Sequence, residues 1–174
     1  ALMIVGEQPG DQEDLAGLPF VGPAGQLFDK AARSAGLNRA EAFVTNAVKH
    51  FKFTPRGKRR LHQRPNSSEI EHCRWWLDAE RALVKPKLIL VLGATAAEAL
   101  TGSGANILRR RGTVEQLADG TPVLLAVHPS FLLRLPDPAE REKQVDLFEA
   151  DHRRAVEMVA ALAIRTGRQD RAAG

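Results

Sequence analysis

Two histidines stand where their chemistry could be used. His62 lies in Phe51 to Arg64 (FKFTPRGKRRLHQR), where six of 14 residues are basic and Phe51 and Phe53 are interleaved. Basic side chains in such a run, Lys58, Arg59 and Arg60 among them, can meet phosphates, and the phenylalanines can stack or anchor the loop. Nearby cations disfavour protonation of His62, which leaves a neutral, nucleophilic imidazole near neutral pH. The plainer reading is a solvated basic loop with an incidental histidine. His128 begins His128-Pro129-Ser130-Phe131-Leu132-Leu133-Arg134, just after an apolar run. A histidine there can donate to charge developing on a leaving group, and Arg134 can hold a phosphate. The plainer reading is a strand end capped by a structural histidine.

Two further clusters add polar groups. Gly6-Glu7-Gln8-Pro9-Gly10-Asp11-Gln12-Glu13-Asp14 leads into Gly17-Leu18-Pro19-Phe20-Val21-Gly22-Pro23-Ala24-Gly25. No Gly-Lys-Ser/Thr follows, and the acids would repel phosphate, so this is not a P-loop; the glycine spacing is also wrong for a dinucleotide fingerprint. Its glycines and prolines fix a tight backbone that can hold an aromatic ring and exposed amides around a small flat ligand; otherwise it is a rigid connecting loop with an acidic face. Asn46, in Thr45-Asn46-Ala47-Val48-Lys49-His50, can donate and accept at once, as reading an amide-like base edge requires, or it satisfies a turn. Cys73, beside Trp75, Trp76 and Leu77, reads as a small buried apolar residue.

These clusters need elements to bring them together. Leu2 to Val5, Ala42 to Val48, Lys87 to Gly93 and Thr121 to Val127 read as strands, the third apolar on both faces. Helices are expected over Pro23 to Ala35, from the capping-box spacing at Ser68-Glu69-Ile70-Glu71 to about Val84, over Ala94 to Leu100, and from Asp137 to about Ile164. His50 to Pro65 shows no periodicity and reads as a loop. The alternation predicts an α/β fold, a three-layer α/β/α arrangement around a central four-stranded parallel sheet. In such sheets ligands bind beyond the carboxyl ends of the strands, and all four clusters fall on that rim. Residues 1–164 form the expected domain and 165–174 a polar C-terminal tail. Because the chain is already in an apolar strand at Leu2, we expect the natural N-terminus to lie upstream of Ala1.

Composition sets the outer bounds. The 174 residues suit one domain, and 44% hydrophobic with 26% charged residues excludes a mainly disordered chain. A net charge of +4 mildly favours a polyanionic partner. A single cysteine allows no internal disulfide and points to a reducing cytoplasm. No apolar run approaches ~18 residues, so no membrane association is expected.

Together GEQPGDQEDLAGLPFVGPAG (Gly6 to Gly25), TNAVKHFKF (Thr45 to Phe53), GKRRLHQ (Gly57 to Gln63), LGATAAEAL (Leu92 to Leu100) and HPSFLLR (His128 to Arg134) resemble the uracil-DNA glycosylase superfamily, in family order and over about three quarters of the chain. Within it they look most like the iron–sulfur family 4 enzymes and their UdgX relatives; Gln8 and the Lys-Arg-Arg-Leu-His insert point to the latter, with Leu61 where the insert more commonly has Ile. The resemblance implies a bacterial protein, a monomer, that flips deoxyuridine out of DNA, preferably single-stranded. Phe20 would stack on uracil, Asn46 would read its edge, and loop amides around Gly10 and Asp11, with Gln8, would complete the site. His128 would stabilise the departing uracil, with Ser130 and Arg134 on the DNA side. Ordinary relatives then admit water to the sugar cation. In UdgX-like proteins the insert histidine, here His62, attacks instead, with Glu7 orienting it.

Such an adduct is an N-glycoside rather than a labile ester, so covalent catalysis would stop halfway. The family's 4Fe-4S cluster takes two ligands from a Cys-x-x-Cys ahead of the first strand, which this chain lacks. Cys73 matches a later ligand, and with no second cysteine the cluster is expected only in an intact longer protein. Two other outcomes stay open: a conventional glycosylase that turns over, and a non-catalytic nucleic-acid-binding module.

Overall fold

Strands hidden on both faces must be apolar at every position, because neither side meets water. β1 (Leu2–Gly6) meets this demand, and all five of its residues are buried. The chain then forms α1 (Asp11–Ala16), α2 (Pro23–Ser34) and β2 (Ala42–Asn46), and next β3 (Phe53–Arg56) and β4 (Arg59–His62). α3 (Ser67–Val84), β5 (Leu88–Leu92), α4 (Ala94–Thr101), α5 (Ile107–Arg110), β6 (Val114–Gln116) and β7 (Pro122–Ala126) follow, and α6 (Pro129–Leu133) and α7 (Pro138–Ala172) close the fold. This computed structural model describes residues 1–172.

The main sheet runs β2-β1-β5-β7-β6. Its first four strands are the expected parallel set, and the fold is the expected α/β sandwich of three layers. Alternate residues of each strand supply the two cores. Leu2, Ile4, Leu88, Leu90 and Leu124 pack with Phe28 of α2 and Phe148 of α7 on one side. Met3, Val5, Ile89, Val91 and Val123 pack with Ile70 and Leu77 of α3 and Ala96 of α4 on the other. Each of the larger side chains among these, fully buried, stabilises the fold by about 1.5–3 kcal/mol.

Four features differ from the sequence expectation. A fifth strand, β6, pairs antiparallel with β7 at the sheet's edge; three residues, two of them exposed, give too short an alternation to read. The segment read as a structureless basic loop contains the antiparallel β3–β4 hairpin, with Phe53 opposite His62 and Arg56 opposite Arg59. The cap of α3 is Asn66, not Ser68: its side chain accepts from Glu69 N at 3.0 Å, and Glu69 Oε2 accepts from Asn66 N at 2.8 Å. α7 runs on through Ala172, so most of the segment read as a polar tail is helical; residues 173 and 174 lie outside the described residues. Among the described residues no helix is long and apolar enough to cross a membrane.

α7 carries a buried imidazole. His152 is fully buried between Phe28 and Phe148, its Nδ1 donates to Phe148 O at 2.7 Å, and its Nε2 has no partner. Burial is the chief cause that pushes its pKa down to about 4. An unfolded histidine titrates near 6.5, so the unfolded chain binds the extra proton between these values. Stability is complete above about pH 6.5 and falls as pH drops toward 4, by about 1.4 kcal/mol per pH unit from this group. Urea unfolding should show lower stability at pH 5 than at pH 7, and His152→Leu should remove this residue's share of the difference.

Candidate active site

The carboxyl ends of β1, β2 and β7, with the tip of the first loop and the end of β4, surround a cleft of about 470 Å³. Glu7, Gln8, Gly10 and Asp11 line it from the first loop, and Phe20 and Asn46 from its inner end. His62 reaches it from the hairpin, and His128, Ser130 and Arg134 from the segment after β7. Lys58 and Arg59 stand exposed at the hairpin's far end, away from the cleft, with Arg59 paired in register to Arg56.

The inner end is built by close approach. Parallel pairing sets Gly6 beside Asn46. A Cβ on Gly6 would come within 2.5 Å of both Asn46 Oδ1 and Phe20 Cζ, so glycine is what lets the amide and the ring sit together. Phe20 is held at φ +54, the left-handed region that a phenylalanine rarely occupies. Arg39 supplies the restraint: it donates to Phe20 O at 3.1 Å and Pro19 O at 2.5 Å while pairing with Asp29 at 2.7 Å. Gly25 completes the seat, because a Cβ there would fall on the Phe20 carbonyl. Sequence reasoning missed Arg39; an isolated arginine ahead of a strand carries no signal until the fold puts it under the loop.

The middle of the cleft is organised by one carboxylate. His62 Nε2 lies 3.0 Å from Glu7 Oε1, and Thr95 at the start of α4 donates to Glu7 Oε2 at 2.7 Å. Burial acts to raise the Glu7 pKa, but the bonds from His62 and Thr95 and the nearby His128 outweigh it, so the pKa lies below the ordinary glutamate value. The ionised carboxylate therefore receives N–H from His62, which puts the proton of the neutral ring on Nε2 and leaves the lone pair on Nδ1. The residues alone suggest only the cations around His62, and the resemblance adds Glu7 as the group that orients it; the group that faces the ring is this carboxylate. Thr95 was also missed, because it reads as one more residue in a small-residue helix.

His128 is held by its other ring nitrogen. Its Nδ1 receives the backbone N–H of Ser130 at 3.2 Å and faces Ser130 Oγ at 2.8 Å. A backbone N–H can only donate, so the ring proton sits on Nε2. Burial, chiefly, lowers the His128 pKa to about 4, so the ring is a neutral hydrogen-bond donor at physiological pH.

The hairpin is tied down at both sides. The amide of Gln8, buried at the rim, donates to Lys52 O at 3.3 Å and Gln63 O at 3.0 Å and accepts from Lys52 N at 3.1 Å. It works as an added rung across the hairpin's root, so this predicted active-site amide is spent on backbone. Arg60, predicted to meet DNA, instead binds Asp11 at 2.5 Å and Asp14 at 2.6 Å, and lies 5.2 Å from the centroids of both Phe51 and Phe53. Asp11, predicted to touch substrate, is its partner.

Cys73 is placed elsewhere, buried in the core on the α3 side. Its Sγ accepts from Lys49 N at 3.4 Å and lies 3.9 Å from His50 Nδ1. A cluster held by four cysteine thiolates does not fit a chain with one cysteine. Among the described residues no group of three His, Cys, Asp or Glu could hold a metal ion.

Comparison with known proteins gives the chain's family. The family model of the uracil DNA glycosylase superfamily matches residues 1–151. A type-4 uracil-DNA glycosylase of Pyrobaculum aerophilum is 38% identical over 148 residues, 78% of this chain and 69% of that protein. The type-4 enzymes of Thermotoga maritima and Archaeoglobus fulgidus are 35% and 30% identical, across 76% and 90% of this chain and 66% and 76% of their own lengths. The chain belongs to the uracil-DNA glycosylase superfamily.

Two outcomes check the site's construction. Gly25→Ala should cost at least about 2 kcal/mol, as overpacking against rigid backbone does, measured by urea denaturation. Arg60→Gln should leave the melting temperature within a few degrees but raise amide hydrogen exchange across residues 53–62.

Proposed function

We propose that this protein is a uracil-DNA glycosylase that ends its reaction covalently bound to DNA through His62. The observation that carries the reading is the His62–Glu7 contact of 3.0 Å in the wall of a cleft that also holds Phe20, Asn46 and His128. Deoxyuridine enters base first, with uracil on Phe20 and its amide-like edge at Asn46. The glycosidic bond breaks with both electrons going to uracil. Nε2–H of His128 donates to the resulting anion, and the deoxyribose carbon is left as an oxocarbenium-like cation.

His62 then bonds to that carbon through the ring nitrogen that carries its lone pair. The ring becomes a substituted imidazolium, whose remaining N–H stays against the Glu7 carboxylate, and that ion pair offsets the new charge. Uracil takes its proton from water. Reversal would need the imidazole expelled as a leaving group and water admitted, and the anchored hairpin opposes both. The same reading makes the protein a monomer acting on single-stranded DNA in the reducing cytoplasm, with Ser130 and Arg134 near the strand. The exposed Lys58 and Arg59 remain available to phosphates.

Incubation with a uracil-containing single strand should yield a band shifted on a denaturing gel. His62→Ala should abolish the shift while uracil is still released. Glu7→Gln, which loses a charge-assisted hydrogen bond, should slow crosslinking roughly tenfold to a hundredfold. Multiple turnovers by the unaltered protein, without crosslinking, would leave the conventional glycosylase as the answer. Equal affinity for thymine and uracil strands with no base released would leave a binding module.

A further inference from the structure

A second cavity of about 360 Å³ adjoins the cleft. The two share Glu7, His62, His128, Ser130 and Arg134, but neither Phe20 nor Asn46 reaches the second one. Its own walls include Arg64, just past β4, Ile107 and Leu108 at the start of α5, and Phe131 in α6. Leu108 is 57% exposed, an apolar side chain left open to water at the cavity's edge.

The charges are as distinctive as the apolar wall. Arg110, two residues beyond Leu108, is paired with Glu115 at 2.8 Å, and Arg60 is held by two aspartates. Arg64 and Arg134 have no carboxylate partner among the described residues. Glu7 also lines the cavity, but its carboxylate is taken up by His62 and Thr95; two guanidiniums outside any ion pair, beside an exposed leucine and a phenylalanine, suit a ligand that is anionic at one end and flat and apolar at the other.

Topology says which ligand that is. If uracil fills the end marked by Phe20 and Asn46, its deoxyribose lies at His62 and His128, two of the residues common to both cavities. The strand continues from that sugar through a phosphate, and the second cavity opens at the same place. We propose that this cavity is the subsite for the nucleotide next to the flipped uridine, whose base packs on Leu108 and Phe131 and whose linking phosphate is met by Arg64 and Arg134. The inference rests on the glycosylase reading and adds to it a grip on one neighbour of the uracil.

The test uses single-stranded oligonucleotides with one uracil, in which an abasic tetrahydrofuran spacer replaces the base on its 5′ side, its 3′ side, or neither. Single-turnover uracil release is measured with protein in excess over the strand but below saturation. The unaltered protein should lose about fivefold or more with the spacer on one side only, the size expected for one lost base contact. Leu108→Ser should slow release from the intact strand to a similar degree and show no further loss with that spacer. Arg64→Ala should behave in the same way toward a methylphosphonate that replaces the linking phosphate.

Indifference of the unaltered protein to both spacers overturns the subsite. So does an equal slowing of all strands by both variants, the mark of a structural effect. No uracil release from any strand by the unaltered protein would overturn the glycosylase reading itself, which separates the two failures.

Discussion

The carboxylate of Glu7 is the constraint around which the rim is arranged. It stands at the first position after a fully buried strand, so its backbone is fixed by the core and not by the loop it opens. One oxygen takes Thr95 from a helix on one face of the sheet, and the other takes His62 from a hairpin that lies outside the sheet. A partly buried carboxylate without such donors would rise in pKa and lose its charge. With them it stays ionised, and the same bonds that keep it charged fix the orientation of the imidazole.

The two histidines of the cleft offer different ring atoms because of what each is bonded to. His128 spends the lone pair of Nδ1 on the turn that begins α6 and so presents a proton. His62 spends its Nε2 proton on Glu7 and so presents a lone pair. Residue type alone could not have assigned these roles, because a histidine can do either. The assignment lies in the backbone amide of Ser130 and the carboxylate of Glu7.

The sheet was legible because buried parallel strands have no alternative composition; Leu2 to Val5 and Leu88 to Leu92 could hardly be anything else. The convergence of Glu7, Asn46 and His128 followed from the shared direction of parallel strands. What could not be read was anything that depended on contact between distant segments. Arg60 looks like a DNA-binding residue until Asp11 and Asp14 are placed opposite it, and Gln8 looks free until Lys52 and Gln63 meet its amide. The β3–β4 hairpin was hidden by its own charge: basic residues on an exposed two-stranded ribbon give no hydrophobic period. Leu108, by contrast, was passed over because a lone exposed leucine is ordinary; only the cavity beside it gives it meaning.

The ribbon that carries His62 shares no backbone pairing with the main sheet. Through Gln8 and Arg60 it is fastened by side chains, and its residues are absent from both cores. It is thus an accessory mounted on a finished scaffold. Lineages could gain, shorten or discard it by editing one surface excursion, with no need to repack an interior. Under the proposed reading, the step from releasing a cut sugar to keeping hold of it is a change of attachment, open to evolution and to protein engineers alike.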